Sequence, residues 1–409
     1  MRDYDYSSSR LACSLIGVGF PPGAVYTAQG VLDLIPLATS DARSPMQVTT
    51  PEMESAAFRR DLLRLENAGL YCPAGDFFVD PWRPVDTAIV THGHSDHARS
   101  GSKRYFAEAS SEAILRSRLG KEIYLETKGY GERWKLGKAW ISLHPAGHLL
   151  GSAQVRIEVA GRVAVVSGDY KRQPDPTCVP FEVVPCDLFV TESTFGLPVF
   201  RWPSPQSVFD AIHRWWRENQ SAGRTSLLMA YALGKSQRLL AGLDPSVGPI
   251  YVHGAVHGPT QLYRDQRISL PETLTVSNAP KDIEWSQCLV LAVPSAQGTP
   301  WLRRFGDIST AMASGWMAIR GTRRRRAVDR GFVISDHVDW PGLLQTVNET
   351  GASTVWVTHG FSNVVARYLR EQGFSPGNTL DASPLETQFQ GDEEEPEDSL
   401  PSPEAETGP

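Results

Sequence analysis

Apolar and polar positions change rhythm several times along the 409-residue chain. Residues 1–55 hold no sustained period and are rich in Ser, Pro and Gly, the pattern of a weakly structured extension. A helical period predicts a helix over 54–68, and the compact fold is expected to begin there. Short strand-like runs follow at 77–80, 87–91, 140–143, 154–159, 162–167 and 188–191. Several of them end on polar residues: Asp80, the run Thr91-His92-Gly93-His94-Ser95-Asp96-His97, Gly168-Asp169, and Glu192. Half-buried strands, helices between them and polar residues at strand ends predict an α/β sandwich.

After Gly196 an amphipathic helix over 204–218 leads to a strand over 226–230 and a helix over 234–243. Strands over 250–252 and 288–293 follow. Strand–helix alternation predicts parallel pairing and an inserted α/β domain over 197–330. The first domain is expected to resume at Gly331-Phe332-Val333-Ile334-Ser335, with a helix from Trp340, a strand over 354–358 and a helix from Asn363. Residues 386–409 read as a disordered acidic tail.

Composition narrows the class. Hydrophobic content of 41% and charged content of 21% are those of a folded globular chain. No apolar window is long enough to span a bilayer, and Met1-Arg2-Asp3-Tyr4-Asp5 carries no secretory pattern, so a cytoplasmic location is expected. Cys13, Cys72, Cys178, Cys186 and Cys288 are scattered and form no C-x-x-C pair, which argues against a disulfide framework or a thiolate zinc site. Any metal would be held by His and Asp. The formal net charge of −6 conceals an asymmetry: residues 392–409 hold eight acidic groups, and the rest of the chain is +2. Arg323, Arg324, Arg325 and Arg326, flanked by Arg320 and Arg330, form a cationic cluster that suits a polyanion, or equally a solvated loop.

His92-x-His94-x-Asp96-His97 is the strongest chemical signal. Histidines two apart on an extended segment project to one side, and Asp96 and His97 at the turn can face a second ion. The chain holds only ten histidines, so three within six positions are improbable by chance. His148 lies between two strands, and Asp169 and His359 lie at strand ends, where residues of several elements converge. His144 and His213 read as structural, His253 and His257 as structural or adjacent to substrate.

With these residues the chain resembles the metallo-β-lactamase superfamily over about residues 60–385. The resemblance implies an αββα sandwich, 56–196 and 331–385 being its two parts. It assigns His92, His94 and His148 to one metal, Asp96, His97 and His359 to the other, and Asp169 as the bridge; Asp80 orients the histidine loop. Glu192 and His337 match the first two motifs of its β-CASP nuclease branch and His359 the third, with 197–330 as that branch's insertion. Tyr71-Cys72-Pro73, Asp80-Pro81-Trp82, Lys235 with Arg238, and Ser314-Gly315-Trp316 resemble bacterial ligase-associated DNA exonucleases.

This implies hydrolysis of nucleic-acid phosphodiesters with two divalent cations, zinc by default and manganese or iron on the same ligands. His337 is the candidate general acid and Glu192 its support, with Asp96 and Asp169 catalytic through the metals. Lys235, Arg238, Ser314, Arg323, Arg324, Arg325 and Arg326 are the candidate nucleic-acid contacts; for Lys235 and Arg238 ordinary exposed charge is the competing reading. DNA repair beside an ATP-dependent DNA ligase and a helicase is one implied setting. RNA 3′-end processing is the other, since RNA-acting members share the third-motif histidine that His359 supplies, whereas animal repair nucleases of the branch usually lack it. A small-molecule hydrolase is disfavoured by the insertion and the arginines, and an inactive nucleic-acid-binding scaffold by the intact ligand set.

Overall fold

The structure, a computed structural model, describes residues 62–372 and 381–384. The expected extension over 1–55 and acidic tail over 386–409 lie outside them. Where a helix over 54–68 was expected, residues 54–61 are likewise outside, and the chain from Arg64 is a strand. β1 (Arg64–Glu66) turns back through Asn67-Ala68 and pairs antiparallel with β2 (Gly69–Cys72), Arg64 opposite Tyr71 and Glu66 opposite Gly69. Local helical preference yields here to the pairing.

β3 (Phe77–Val79), β4 (Thr87–Ile89), β5 (Arg104–Glu108) and β6 (Leu125–Lys128) complete a six-stranded sheet in sequence order, parallel from β3 onward. α1 (Glu112–Leu119) is the crossover between β5 and β6. The second sheet begins as an antiparallel meander of β7 (Arg133–Leu136), β8 (Ala139–Pro145), β9 (Ala153–Val159) and β10 (Arg162–Val166), to which β11 (Leu188–Glu192) adds in parallel.

The chain then leaves for a third sheet. α2 (Pro205–Ser221) is started by the Ser204 hydroxyl, which accepts from Ser207 N, and by Pro205 at its first position. It buries Val208, Ile212, Trp215, Trp216 and Asn219, spaced to fall on one face. β12 (Thr225–Met229), α3 (Lys235–Gly242), β13 (Ile250–Val252), α4 (Gly254–Asp265), β14 (Leu274–Thr275), β15 (Leu289–Ala292), β16 (Ile308–Ala313), α5 (Arg320–Arg325) and β17 (Arg330–Phe332) follow. The strand order is β14-β13-β15-β12-β16-β17, and every pairing is parallel. Buried on both sides, β12 and β15 are near-continuous apolar runs. β17 pairs with β16, so Arg330–Phe332 belongs to this sheet and the chain leaves it only afterwards.

α6 (Trp340–Thr350) leads back to β18 (Thr354–Thr358), which lies parallel beside β11; α7 (Ser362–Gln372) and β19 (Asp381–Pro384) finish the second sheet. The first two sheets enclose one core, including Phe77, Ile89, Phe106, Ile141, Val155 and Leu188. α1 covers the outer face of the first sheet through Leu115 and Leu119, and α6 and α7 cover that of the second through Leu343, Val347, Val365 and Leu369. The layers therefore run helix, sheet, sheet, helix. A smaller cluster of Ile114, Leu149, Leu150, Leu233 and Tyr263 joins this sandwich to the third sheet's helices. No helix among the described residues is long and apolar enough to cross a membrane.

Candidate metal centre

β8, β10, β11 and β18 run in one direction, so their carboxyl ends open on one edge of the second sheet. Shortly after those ends come His148, Asp169 and His359, with Glu192 the last residue of β11. Asp80 and the histidine run follow β3 and β4 of the facing sheet.

Three donor groups form there: His92, His94, His148 and Asp169; His97, Asp169 and His359; and Asp169, Glu192 and His337. Within each, the donor atoms lie within 4.8 Å of one another, and Asp169 is common to all three. Its Oδ2 lies 3.6 Å from His92 Nε2, 3.5 Å from His97 Nε2, 3.9 Å from His148 Nε2 and 3.8 Å from His337 Nδ1. These separations exceed a hydrogen bond. Asp96 stands outside the three groups, its Oδ2 3.5 Å from His97 Nε2.

Each ring is held from behind. His97 Nδ1 donates to Asp80 Oδ2 at 2.7 Å, and that carboxylate also accepts from Thr91 N at 2.8 Å and Thr91 Oγ1 at 2.6 Å. His148 Nδ1 donates to the Asp336 carbonyl at 2.9 Å. His94 Nε2 lies 3.3 Å from the carbonyl of Leu233, just before α3 of the third sheet. His337 Nδ1 lies 2.8 Å from Glu192 Oε2, while Glu192 Oε1 accepts from Tyr170 N at 2.8 Å. Arg118 Nε donates to Gly93 O at 2.6 Å and fixes the histidine loop. Gly168 has φ +56°, and a Cβ there would stand 2.6 Å from Thr91 Oγ1, so only glycine lets Asp169 approach. Asp80 and His359 also adopt positive φ, 45° and 54°, a cost of roughly 1–3 kcal/mol each for non-glycine residues.

The donor set fits divalent metal. His92 Nε2 and His97 Nε2 are buried without a hydrogen-bond partner, an expensive arrangement unless something electrophilic is shared between them. Burial, reinforced by neighbouring rings, holds His92, His148 and His359 below the ordinary imidazole range, so they are neutral donors at pH 7. At His97 burial works in the same direction, but Asp169, Asp96 and Asp80 outweigh it and hold the ring well above that range. Burial would raise Asp169, yet His97 and His337 outweigh it and keep it ionised. A bound cation satisfies the same carboxylates that otherwise call for a proton on His97. A cavity of about 40 Å³ adjoins the second group, between Asp80, Asp96, His97 and His359 on one side and Leu70 and Trp82 on the other.

No protein-family model matches the chain. A protein of Opitutus terrae named "Probable DNA ligase" is 30% identical over 312 residues, covering 75% of this chain and 30% of that protein. "Endoribonuclease YSH1" of Gibberella zeae is 34% identical over 199 residues, 39% of this chain and 23% of the relative. "Cleavage and polyadenylation specificity factor 73" of Drosophila melanogaster is 32% identical over 177 residues, 40% of this chain and 25% of the relative. The chain belongs to the β-CASP branch of the metallo-β-lactamase superfamily. It spans under a third of the length of these β-CASP relatives. A crystal structure of a protein of unknown function from Enterococcus faecalis shares the fold, with a TM-score of 0.50 and 11% identity over 74% of this chain and 79% of the other.

The structure brings together the expected histidines and carboxylates but treats the expected nucleic-acid contacts differently. Lys235 and Arg238 are 1% and 2% exposed, their cations set against Asp336 and Asp175. Ordinary exposed charge, the competing reading for both residues, is thereby corrected, and a phosphate would have to displace partners already in place. Ser314 is buried, and its hydroxyl accepts from Trp316 N. α5 runs through Arg323, Arg324 and Arg325; Arg324 is exposed and Arg326 half-buried. His144, His213, His253 and His257 lie outside the donor groups, His213 accepting from Asp244 N and His253 capping α4. Cys72, Cys178, Cys186 and Cys288 are free thiols. Asp336, Lys171 and Asp175 carry no motif of their own; adjacency to His337 is the one signal that could have drawn attention to Asp336.

Proposed function

We propose that the chain is a metal-dependent nuclease that hydrolyses DNA phosphodiesters from a strand end, in a setting linked to DNA ligation. The observation that carries this is Asp169, one carboxylate shared by two histidine-rich donor groups and by the His337–Glu192 pair. The helix–sheet–sheet–helix order, with the third sheet between β11 and β18, supports a metallo-β-lactamase sandwich carrying a β-CASP insertion over 197–330. His92, His94, His148 and Asp169 would hold one ion; His97, His359, Asp169 and Asp96 the other. Divalent ions there, zinc by default, supply charge stabilisation for the phosphoryl oxygens and water ionised at neutral pH.

The chain's own residues do the rest. Glu192 accepts from His337 Nδ1 and favours the imidazolium, which delivers a proton to the departing sugar oxygen. Asp80 keeps the His97 proton on Nδ1, so Nε2 presents its lone pair. Arg324 and Arg326 track the strand's phosphates.

DNA is favoured by the Opitutus terrae relative, whose similarity covers 75% of this chain; the endoribonuclease matches cover 39% or so and favour RNA as the second reading. The test is cleavage of end-labelled single-stranded DNA and of RNA of the same sequence, across zinc, manganese and iron, by the parent chain and Asp169→Ala. Shortening of the DNA by the parent alone is expected. A folded, metal-loaded parent that cuts neither polymer would falsify the reading, and preferential cutting of RNA would select the second one.

A further inference from the structure

Five charged side chains lie next to the centre, none more than 7% exposed: Lys171, Asp175, Lys235, Arg238 and Asp336. The hydrolytic reading gives their charges no task. Buried charges are costly unless paired, so their arrangement needs a reason. They come from three separate stretches of chain. Lys171 and Asp175 follow Asp169, and their side chains meet at 2.5 Å. Lys235 and Arg238 open α3 of the third sheet. Asp336 precedes His337.

Arg238 stands between the other two stretches. Its guanidinium donates to the carbonyl of Ser335 and to Gln173 Oε1 at 3.2 Å, and lies 3.6 Å from Asp175 Oδ2 and 3.7 Å from Asp336 Oδ1. Lys235, on the same helix as Arg238, has its Nζ 3.7 Å from Asp336 Oδ2. The segment so gripped has two outputs. Ser335 Oγ accepts from His337 N at 3.1 Å, and the Asp336 carbonyl accepts from His148 Nδ1 at 2.9 Å. The other segment begins at Asp169.

We propose that Arg238 is a positioning residue whose guanidinium ties Ser335–His337 to Asp169–Asp175, setting His337 and the His148 ring relative to Asp169. The proposal rests on the nuclease reading above for its kinetic test but not for its metal test. The planar guanidinium hydrogen-bonds one segment at Ser335 and the other at Gln173 while facing a carboxylate on each, Asp336 and Asp175, as ion pairs; a single ammonium nitrogen cannot hold both sides at once. The insertion thus holds the site's geometry from inside, besides any strand it covers.

The test uses the full chain with Arg238→Lys, Arg238→Gln and Lys235→Gln. Lys235→Gln leaves two cations facing two carboxylates and is the variant expected to fold even if Arg238→Gln does not. For both Arg238 variants, kcat on end-labelled single-stranded DNA should fall about 10–100-fold, and zinc affinity, read by competition with a chromophoric chelator, about 10-fold. The Kd for the same DNA and its salt slope should match the parent for all three variants, because a lost phosphate contact would reduce that slope by about one. A reduced slope and weaker Kd with unchanged kcat would return Arg238 to the substrate surface and overturn the proposal. So would recovery of kcat and zinc affinity in Arg238→Lys, since charge alone would then suffice. If the parent cuts no nucleic acid, the nuclease reading fails by itself; parent-like zinc affinity in Arg238→Lys would separately refute the positioning role.

Discussion

Asp80→Asn removes a charge and one acceptor while preserving shape, and asparagine tolerates the φ of +45° that Asp80 adopts. The carboxylate now accepts from Thr91 N, Thr91 Oγ1 and His97 Nδ1 at 2.8, 2.6 and 2.7 Å. Asparagine can keep the first bond through its amide oxygen, but its amide nitrogen, a donor, then faces His97. The ring's favourable answer is to accept at Nδ1 and move its proton to Nε2, the nitrogen aimed at Asp169. The lone pair that would ligate is thereby lost. Loss of an orienting carboxylate behind a metal-binding histidine weakens affinity about 10–100-fold, equivalent to about 1.4–2.8 kcal/mol. The metal-free fold also loses charge-assisted bonds worth about 1.5–3 kcal/mol each, softened here by partial exposure and one surviving bond. A net cost of about 2–3 kcal/mol should lower Tm by roughly 3–5 °C in a fold of this size. Zinc competition titration and thermal denaturation, each with and without metal, measure the two effects separately. Zinc affinity within twofold of the parent, in a variant whose Tm has fallen, would show that Asp80 only stabilises the loop and that the tautomer argument is wrong.

Other expectations follow from the same contacts. His337→Ala should retain zinc and DNA binding but lose about 10²–10⁴-fold in kcat, the range of a general acid, as read by single-turnover cleavage. Glu192→Gln keeps the acceptor for Tyr170 N while removing the charge beside His337, so its kcat should fall between those of the parent and His337→Ala. Gly168→Ala adds a Cβ 2.6 Å from Thr91 Oγ1 at φ +56°, and should cost about 2–4 kcal/mol by chemical denaturation while lowering zinc affinity. Asp175 is pushed up by burial but held below its ordinary value by Lys171 and Arg238. Its contribution to stability is therefore complete above the unfolded carboxyl's pKa of about 3.9 and disappears as pH falls through the lower folded value. Asp175→Asn should be less stable at pH 7 and lose less further stability between pH 5 and 3; an unchanged slope in denaturation curves across that range would count against the pairing.

Much of the centre was legible because its donors sit at the ends of apolar strands, where a switch from Ile89-Val90 to His92, or from Val165-Val166 to Asp169, is visible in one line of sequence. Parallel pairing in the third sheet was legible in the alternation of strand-like and helical runs after Gly196, because parallel neighbours need a crossover between them. The edge strand β1 was not, because its exposure follows no period-two alternation and, among the described residues, it pairs with β2 alone. Nor was the fate of Lys235 and Arg238. Their carboxylate partners at 175 and 336 lie about sixty and a hundred residues away, and a pairing that distant leaves no local trace. A charged pair at a helix start looks identical from sequence whether it meets solvent, phosphate or a buried aspartate.

The place of β18 in the second sheet has a further consequence during synthesis. β11 is buried throughout, and β18 supplies its second neighbour, Leu188 opposite Thr354 and Glu192 opposite Thr358. At about 5–20 residues per second, the roughly 160 residues between them keep that edge of β11 open for about 10–30 s after it leaves the ribosome. An apolar strand with one unsatisfied edge is a template for pairing with another nascent chain. The third sheet, complete in sequence before β18 begins, can fold within that interval. Synthesis rate and chaperone supply, more than equilibrium stability, should then set the yield of active protein.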